Sequence, residues 1–147
     1  EKLYLSLKKL NLKNDKIENY HIQSHKLGIV SKNLNKLQNK LFGIECNYEE
    51  LNGIDFKKGC YVGQENTSRI KLKNKLTKRL MPIKIISGKL SEEEKIYNNN
   101  VEIGKILINE EYPFALIKYL DKNFDKNQIF ETKKGSFKIF VPEWLKI

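Results

Sequence analysis

The sequence predicts an α+β protein in which a short helical region precedes a set of antiparallel strands. Between Asp15 and Gly28 the apolar residues recur at helical spacing, and these two residues are favourable ones for starting and ending a helix. From Leu80 onward the pattern changes to short, β-branched and alternating runs separated by glycine, asparagine and aspartate turns. These two observations predict helices first and then a small antiparallel barrel or sandwich.

The individual elements follow from these local patterns. Helical segments are expected over residues 16–27 and 31–40, with a further helical turn over 47–51 that ends at Asn52-Gly53. A strand running into a turn fits the alternation in residues 1–12, and the later strands are expected over 80–86, 101–108, 114–120 and 137–141. The composition shift near residue 80 predicts two domains, 1–79 and 80–147.

Length and composition exclude several classes of protein. A chain of 147 residues suits one full domain or two small ones, and it has no apolar run of the roughly 20 residues that a membrane span needs. Two cysteines, Cys46 and Cys60, are too few for a disulfide scaffold or a four-cysteine zinc site. His21 and His25 have the spacing of a metal pair on one helix face, but no third ligand is near them, so no metal site is predicted.

The net charge of +10 first suggests a nucleic-acid partner. However, 26 of the 28 basic residues are lysine, which is typical of an AT-rich genome, and aromatic residues are not interleaved with the basic ones. A nucleic-acid module is therefore disfavoured. The charge is concentrated in residues 57–80, which hold eight basic residues and one acidic residue.

One segment, residues 58–65, carries most of the chemical information, and it reads Lys-Gly-Cys-Tyr-Val-Gly-Gln-Glu. Glycines close to Cys60 on both sides predict a sharp, exposed turn. Lys57 and Lys58 would lower the pKa of the Cys60 thiol, because nearby cations favour the thiolate. Such a thiol could bind a metal, attack an electrophile or respond to redox change. Cys60 could equally be a small buried residue in a tight turn.

The stretch from Asn52 to Arg69 resembles the signature of the YgfZ family. These are folate-binding proteins of iron–sulfur cluster assembly and maintenance, related to the T-protein of glycine cleavage (aminomethyltransferase). The matching positions are Lys58, Gly59, Cys60, Tyr61, Gly63, Gln64, Glu65 and Arg69. Lys78-Arg79-Leu80 and Pro142-Glu143-Trp144 are similar to the segments that open and close the family's C-terminal barrel. Ser24 and Val30 stand where the family usually has arginine and proline.

The resemblance implies a fold and a site. It covers the chain from about residue 16 onward, and the chain looks like the C-terminal half of a family member. Residues 1–79 would complete a T-protein-like folate-binding domain, and residues 80–147 would form the β-barrel. Cys60 would be the chemically active residue, and the folate-site residues would be Glu45, Lys58, Tyr61, Gln64, Glu65 and Arg69. Glu45 could equally cap a turn, Tyr61 could simply pack, and Gln64, Glu65 and Arg69 would also hold the loop by hydrogen bonds.

The implied function is support for the assembly or repair of [4Fe–4S] clusters in client enzymes. The protein would be a non-enzymatic assembly factor that binds tetrahydrofolate and a transient iron–sulfur species. Its partners would be folate, the iron–sulfur assembly machinery and the client enzymes, with no membrane partner. The alternative is an aminomethyltransferase, which Cys60 disfavours because that class lacks the cysteine motif. The expected compartment is the bacterial cytoplasm or, in a eukaryote, the mitochondrial matrix.

The other conspicuous side chains are predicted to have packing roles. Cys46 is expected in the core, Tyr112 and Phe114 in the packing of the barrel, and Trp144 as a hydrophobic plug of the barrel.

Overall fold

The computed structural model describes residues 16–59, 65–72, 76–122 and 124–145. Helix α1 (Ile17–Lys26) is followed by two short 3₁₀ helices (Leu34–Leu37 and Gly43–Cys46) and by helix α2 (Glu65–Leu72). Six strands follow: β1 (Arg79–Gly88), β2 (Lys95–Asn98), β3 (Val101–Ile108), β4 (Phe114–Ile117), β5 (Ile129–Glu131) and β6 (Gly135–Ile139). The predicted order, helices first and strands second, is confirmed. Neither α1 nor α2, the α-helices of the described part, is long and apolar enough to cross a membrane.

The six strands form one antiparallel sheet in the order β2-β3-β4-β1-β6-β5. Strand β1 is central because its first half pairs with β4 and its second half pairs with β6. A register irregularity between Ile85 and Ser87 interrupts the β1–β6 ladder, and such a bulge increases the local twist of a strand. The edge strands β2 and β5 approach each other, so the sheet is a nearly closed barrel.

The interior of the barrel is filled with apolar side chains from all six strands and from the segments that follow β1 and β6. They are Met81, Ile83, Leu90, Ile96, Ile103, Ile106, Ala115, Ile117, Phe130, Phe137, Ile139 and Leu145. The rings of Phe130 and Phe137 stack with their centroids 5.6 Å apart. Gly104 lets β3 approach β4 closely, because a Cβ at this position would lie 2.3 Å from the carbonyl oxygen of Leu116.

A second apolar cluster covers the outer face of β1, β3 and β4. Leu80, Leu107, Phe114 and Leu116 point outward from these strands and pack against Leu37 of the first 3₁₀ helix. All four residues of β4 are consequently buried. The chain before the barrel is therefore a second layer on one side of the sheet. The division into domains 1–79 and 80–147 stays a prediction.

The helix expected over residues 16–27 is confirmed, since α1 spans Ile17–Lys26. The structure describes the chain from residue 16, so the expected cap at Asp15 and the strand in residues 1–12 lie outside it. Gly28 follows the helix with φ +72°, as expected of a glycine that ends a helix. A side chain here would also crowd Pro142, because a Cβ would lie 3.1 Å from its ring.

The expected helix over 31–40 is wrong. Only Leu34–Leu37 is helical, as a 3₁₀ helix, because Asn33 and Asn39 on either side have left-handed backbone conformations (φ 60° at both). The turn expected over 47–51 is confirmed, because the Leu51 N–H donates to the carbonyl of Asn47 (3.0 Å) and Asn52 follows with a left-handed backbone (φ 58°). The 3₁₀ helix Gly43–Cys46 that precedes this turn was not expected.

The four expected strands are present as β1, β3, β4 and β6. Strand β4 ends at Ile117 instead of residue 120, because a turn follows in which the Asp121 N–H donates to the carbonyl of Lys118 (3.2 Å). Strands β2 and β5 were not predicted. They have four and three residues, and each buries a single side chain, so they offer little alternation to detect.

Candidate functional site

The cysteine motif lies between the first helical layer and α2. Cys60, Tyr61 and Gln64 lie outside the described residues, so their predicted roles stay predictions. The structure describes both flanks of the motif. Lys58 is the first residue of the motif, and Glu65, its last residue, begins α2. Arg69 lies one turn further along the helix, and all three side chains are exposed.

The loop that leads to Cys60 is tightly turned. The backbone N–H of Gly53 donates to the carbonyl of Tyr48 (2.6 Å), and a carboxylate oxygen of Asp55 accepts from the N–H of Lys57 (2.8 Å). Gly59 then has φ +85°, a conformation that favours glycine, and no atom lies within 4 Å of where its Cβ would be. Gly59 is the described part of the sharp turn predicted around Cys60, and the rest of that turn lies outside the described residues.

A small cavity of about 100 Å³ lies beside the motif, where this loop meets α2. Its lining comes from Gly53, Ile54, Asp55, Phe56, Lys58, Gly59, Thr67 and Ser68. The Lys71 ammonium of α2 lies 5.6 Å from the centroid of the Phe56 ring and forms an ion pair with Glu49. These contacts hold α2 against the loop. The residues just before Cys60 and the first turn of α2 therefore border the same cavity.

Glu45 has a structural role in the described residues. One of its carboxylate oxygens accepts the backbone N–H of Phe42 (2.9 Å), which closes the Gly43–Cys46 3₁₀ helix. The capping alternative for Glu45 is therefore confirmed. A contact between Glu45 and folate stays a prediction.

A buried polar cluster joins the first layer to the start of the barrel. Arg79 forms an ion pair with Glu50, donates to the side-chain oxygen of Asn47 (2.9 Å) and lies 5.2 Å from the centroid of the Tyr119 ring. Asn47 in turn donates to the carbonyl of Leu80 (2.8 Å). The structure thus assigns Arg79 a central position that the sequence analysis missed. The available signal was that Arg79 is one of only two arginines in a lysine-rich chain.

A cavity of about 410 Å³ adjoins this cluster on the side of α2. Its lining comes from Glu49, Glu50, Ile70, Lys71, Leu76, Arg79, Tyr119 and Leu120. The four charged groups of the lining form two ion pairs, Lys71 with Glu49 and Arg79 with Glu50.

Cys46 packs against the second apolar cluster, as predicted. Burial, and to a smaller extent the negative charge of Glu45, raises the pKa of the Cys46 thiol to about 11. The thiolate is the reactive form of cysteine, so Cys46 is unsuited to chemistry near neutral pH.

The two histidines of α1 have separate partners. His21 Nδ1 and the Ser31 hydroxyl lie 2.9 Å apart, whereas His25 Nε2–H donates to the carbonyl of Pro113 (2.9 Å). The described residues contain no group of three side chains able to hold a metal ion. Tyr112, expected in the barrel, instead packs on both histidine rings.

The remaining two packing predictions are confirmed. Phe114 of β4 is buried in the outer apolar cluster of the barrel strands. Trp144 packs against the interior core, yet its indole N–H also donates to the carbonyl of Leu27 at the end of α1 (3.0 Å). Trp144 therefore joins the C-terminal segment to the first layer as well as covering the barrel.

The fold and the motif together define a mixed α/β chain in which a cysteine loop precedes a nearly closed six-stranded barrel. No protein-family model matches the chain. Curated relatives do match it, and those compared carry the name iron–sulfur cluster assembly factor IBA57 homolog, mitochondrial. The relative from Neurospora crassa is 34% identical over 97 residues, which is 58% of this chain and 22% of the relative.

Two further relatives match shorter segments at higher identity. The Aspergillus oryzae homolog is 47% identical over 45 residues, which is 31% of this chain and 10% of the relative. The Dictyostelium discoideum homolog is 50% identical over 40 residues, which is 27% of this chain and 10% of the relative. The matched part thus spans about a fifth or less of the length of these relatives.

Proposed function

We propose that this chain is part of a protein that supports the assembly or repair of [4Fe–4S] clusters in client enzymes. The observation that carries the proposal is the Lys-Gly-Cys-Tyr-Val-Gly-Gln-Glu motif of residues 58–65, in a chain whose matching relatives are named iron–sulfur cluster assembly factors. The positive φ of Gly59 supports the proposal, because it fits the sharp glycine turn that the motif predicts.

Cys60 is the reactive group in this proposal. Lys57 and Lys58 precede it and are exposed, and cations close to a thiol favour the thiolate. A thiolate can ligate iron or take up a sulfur species, which would be the transient substrate of the protein. Glu65 and Arg69 on α2 would hold the far end of the loop.

Tetrahydrofolate is the proposed ligand. The cavity beside the motif has about 100 Å³, whereas sites for ligands of this size usually have about 300–1,000 Å³. The cavity beside Arg79, of about 410 Å³, lies within that range, but its charged side chains are already paired with each other. Lys57, Lys58 and Arg69 would attract the glutamate carboxylates of a folate from a distance. When bound, folate would supply one-carbon chemistry next to Cys60, and the cationic side chains would orient it.

We propose the mitochondrial matrix as the compartment of the whole protein. The support is that the matching relatives carry the word mitochondrial in their names. The proposed partners are the iron–sulfur assembly machinery and [4Fe–4S] client enzymes of that compartment.

A rescue experiment tests the function. The complete protein that carries this chain is expressed in cells that lack their own relative, and the specific activity of a [4Fe–4S] enzyme is measured beside that of a cluster-free enzyme. We expect the first activity to recover and the second to stay constant. No recovery despite accumulation of the protein would contradict the proposal. Catalysed methylene transfer to tetrahydrofolate in the glycine-cleavage assay would favour the aminomethyltransferase alternative.

A further inference from the structure

An apolar groove lies between α1 and β1, and it shares no lining residue with the two cavities described above. It has a volume of about 490 Å³. Ile22 of α1 forms one wall, Ile85 of β1 and Phe140 form the other, and Tyr112 and Pro113 close one end. Ile22 and Phe140 are 40% and 42% exposed, which is high for large apolar side chains beside a concave surface.

Two polar side chains that line the groove already have partners within the protein. The His25 imidazole donates to the carbonyl of Pro113, and the Tyr112 hydroxyl donates to Glu18. The other lining residues, apart from two lysines, are apolar, so the contact surface of the groove is mainly apolar. A large aliphatic or aromatic side chain is the occupant that such a surface selects.

A carboxylate, that of Glu18, lies at the end of the groove that Tyr112 closes, whereas the charged residues that line the groove are lysines. Lys26 and Lys84 line it, no carboxylate does, and Lys138 stands directly opposite Lys84 on the neighbouring strand. Within the described ranges, no carboxylate lies within 4 Å of these three ammonium groups. Like charges directly opposite each other on antiparallel strands are destabilising, and an anionic partner would relieve that repulsion.

We propose that this groove binds an acidic segment of a partner protein, which inserts a large apolar side chain between Ile22 and Phe140 and places carboxylates beside Lys26, Lys84 and Lys138. The concave shape favours an inserted side chain, whereas adsorption to a bilayer would need apolar side chains that protrude. The charged lining of lysines lacks the arginines that favour nucleic acid. This inference goes beyond the proposed function and does not depend on it.

The test measures binding of a fluorescent probe to the full chain by anisotropy. The probe is an amidated 12-residue peptide of leucine, phenylalanine and glutamate, and its control carries glutamine in place of every glutamate. We expect the acidic probe to bind, the glutamine probe to bind at least about tenfold more weakly, and the affinity to fall with added salt. Equal binding of the two probes, or no binding of the acidic probe at about 1 mM protein, would overturn the proposal.

Matched variants locate the binding. Lys84→Glu should weaken binding of the acidic probe about tenfold, and Phe140→Ser should weaken binding of both probes. Lys89→Glu changes an exposed lysine outside the groove and should change affinity less than about twofold. Thermal melts show whether each variant is folded, and an equal loss in Lys84→Glu and Lys89→Glu would contradict the assignment.

Other occupants are tested in parallel. Phosphatidylglycerol vesicles, a single-stranded DNA oligomer and a second copy of the chain are measured by co-sedimentation, anisotropy and analytical ultracentrifugation. If binding of one of these three occupants depends on Lys84 and Phe140 while binding of the acidic peptide does not, that occupant replaces the protein partner and the proposal is wrong.

Discussion

His25 connects α1 to the segment before β4 and to β4 itself. Its imidazole donates to Pro113 and meets the Phe114 ring edge-on, with centroids 5.1 Å apart. Burial lowers the pKa of His25 below its ordinary value, and this effect outweighs the hydrogen bond to Pro113, which raises it. The folded protein therefore prefers a neutral imidazole at this position.

The free energy of unfolding should consequently depend on pH through His25. A histidine whose pKa is lower in the folded state binds fewer protons there, so stability is complete above about pH 6.5 and falls as the pH decreases below it. His25→Gln keeps a side-chain N–H donor and should reduce this decline. Urea unfolding at pH 5 to 8 measures the effect. His21→Gln, on the same helix, is the control, and its free energy of unfolding should still fall at low pH. An equal decline in wild type and His25→Gln would contradict the assignment.

Cys46 is the second residue with a chemical consequence. With a pKa of about 11, its thiolate is about 100-fold rarer at pH 7.5 than that of an ordinary cysteine. Iodoacetamide should therefore modify Cys46 at least about 100-fold more slowly in the native protein than in urea. Peptide mapping by mass spectrometry measures the rates, and Cys60 serves as the internal comparison that should react faster. Labelling of native Cys46 at the rate seen in urea would show that the thiol is accessible and ionisable.

At the scale of elements, Arg79 connects the first layer to the barrel, a contact that local sequence patterns do not predict. It stands at the first residue of β1, and it contacts the segment after the second 3₁₀ helix through Asn47 and Glu50. The Tyr119 ring lies beside the Arg79 guanidinium, and the Tyr119 hydroxyl donates to the carbonyl of Leu76. One buried cation thus joins the first layer to the barrel, beside the segment that leads into β1.

Replacing Arg79 by methionine should lower the free energy of unfolding by about 3 kcal/mol, because the Glu50 carboxylate loses its partner in a largely buried place. The value is at the low end of the usual range because the Glu50 side chain is 26% exposed. Lys71→Met is the matched control. It breaks the more exposed pair with Glu49 and should cost less than about 1 kcal/mol. Urea unfolding measures both, and equal losses would mean that the Arg79 cluster adds nothing beyond an exposed ion pair.

The elements also show which parts of the secondary structure local sequence patterns predict. Helix α1 and four of the strands were predictable, because each places several apolar residues at a regular spacing. The helix expected over 31–40 failed because Leu34 and Leu37 have the right spacing while Asn33 and Asn39 take left-handed conformations that stop a helix. Tertiary packing of Leu37 on the barrel explains its apolar character without a long helix.

At the scale of the whole molecule, the barrel was predictable and the layer on its outer face was not. The sequence shows that apolar residues alternate over 101–108, but it does not show that Leu107 faces outward against Leu37. The site was found by its motif, whereas Arg79 was not, because its importance depends on contacts with residues about 30 positions away. Patterns along the chain identify a cysteine loop, but they do not identify a long-range polar cluster.

The most direct measurement of the proposed function compares two cysteine variants in the rescue assay. Cys60→Ala and Cys46→Ala are each expressed, as the complete protein, in cells that lack their own relative, and [4Fe–4S] enzyme activity is normalised to the amount of protein that accumulates. We predict that wild type and Cys46→Ala restore the activity and that Cys60→Ala does not. Restoration by Cys60→Ala to the wild-type level would contradict the claim that the Cys60 thiol carries the iron–sulfur function.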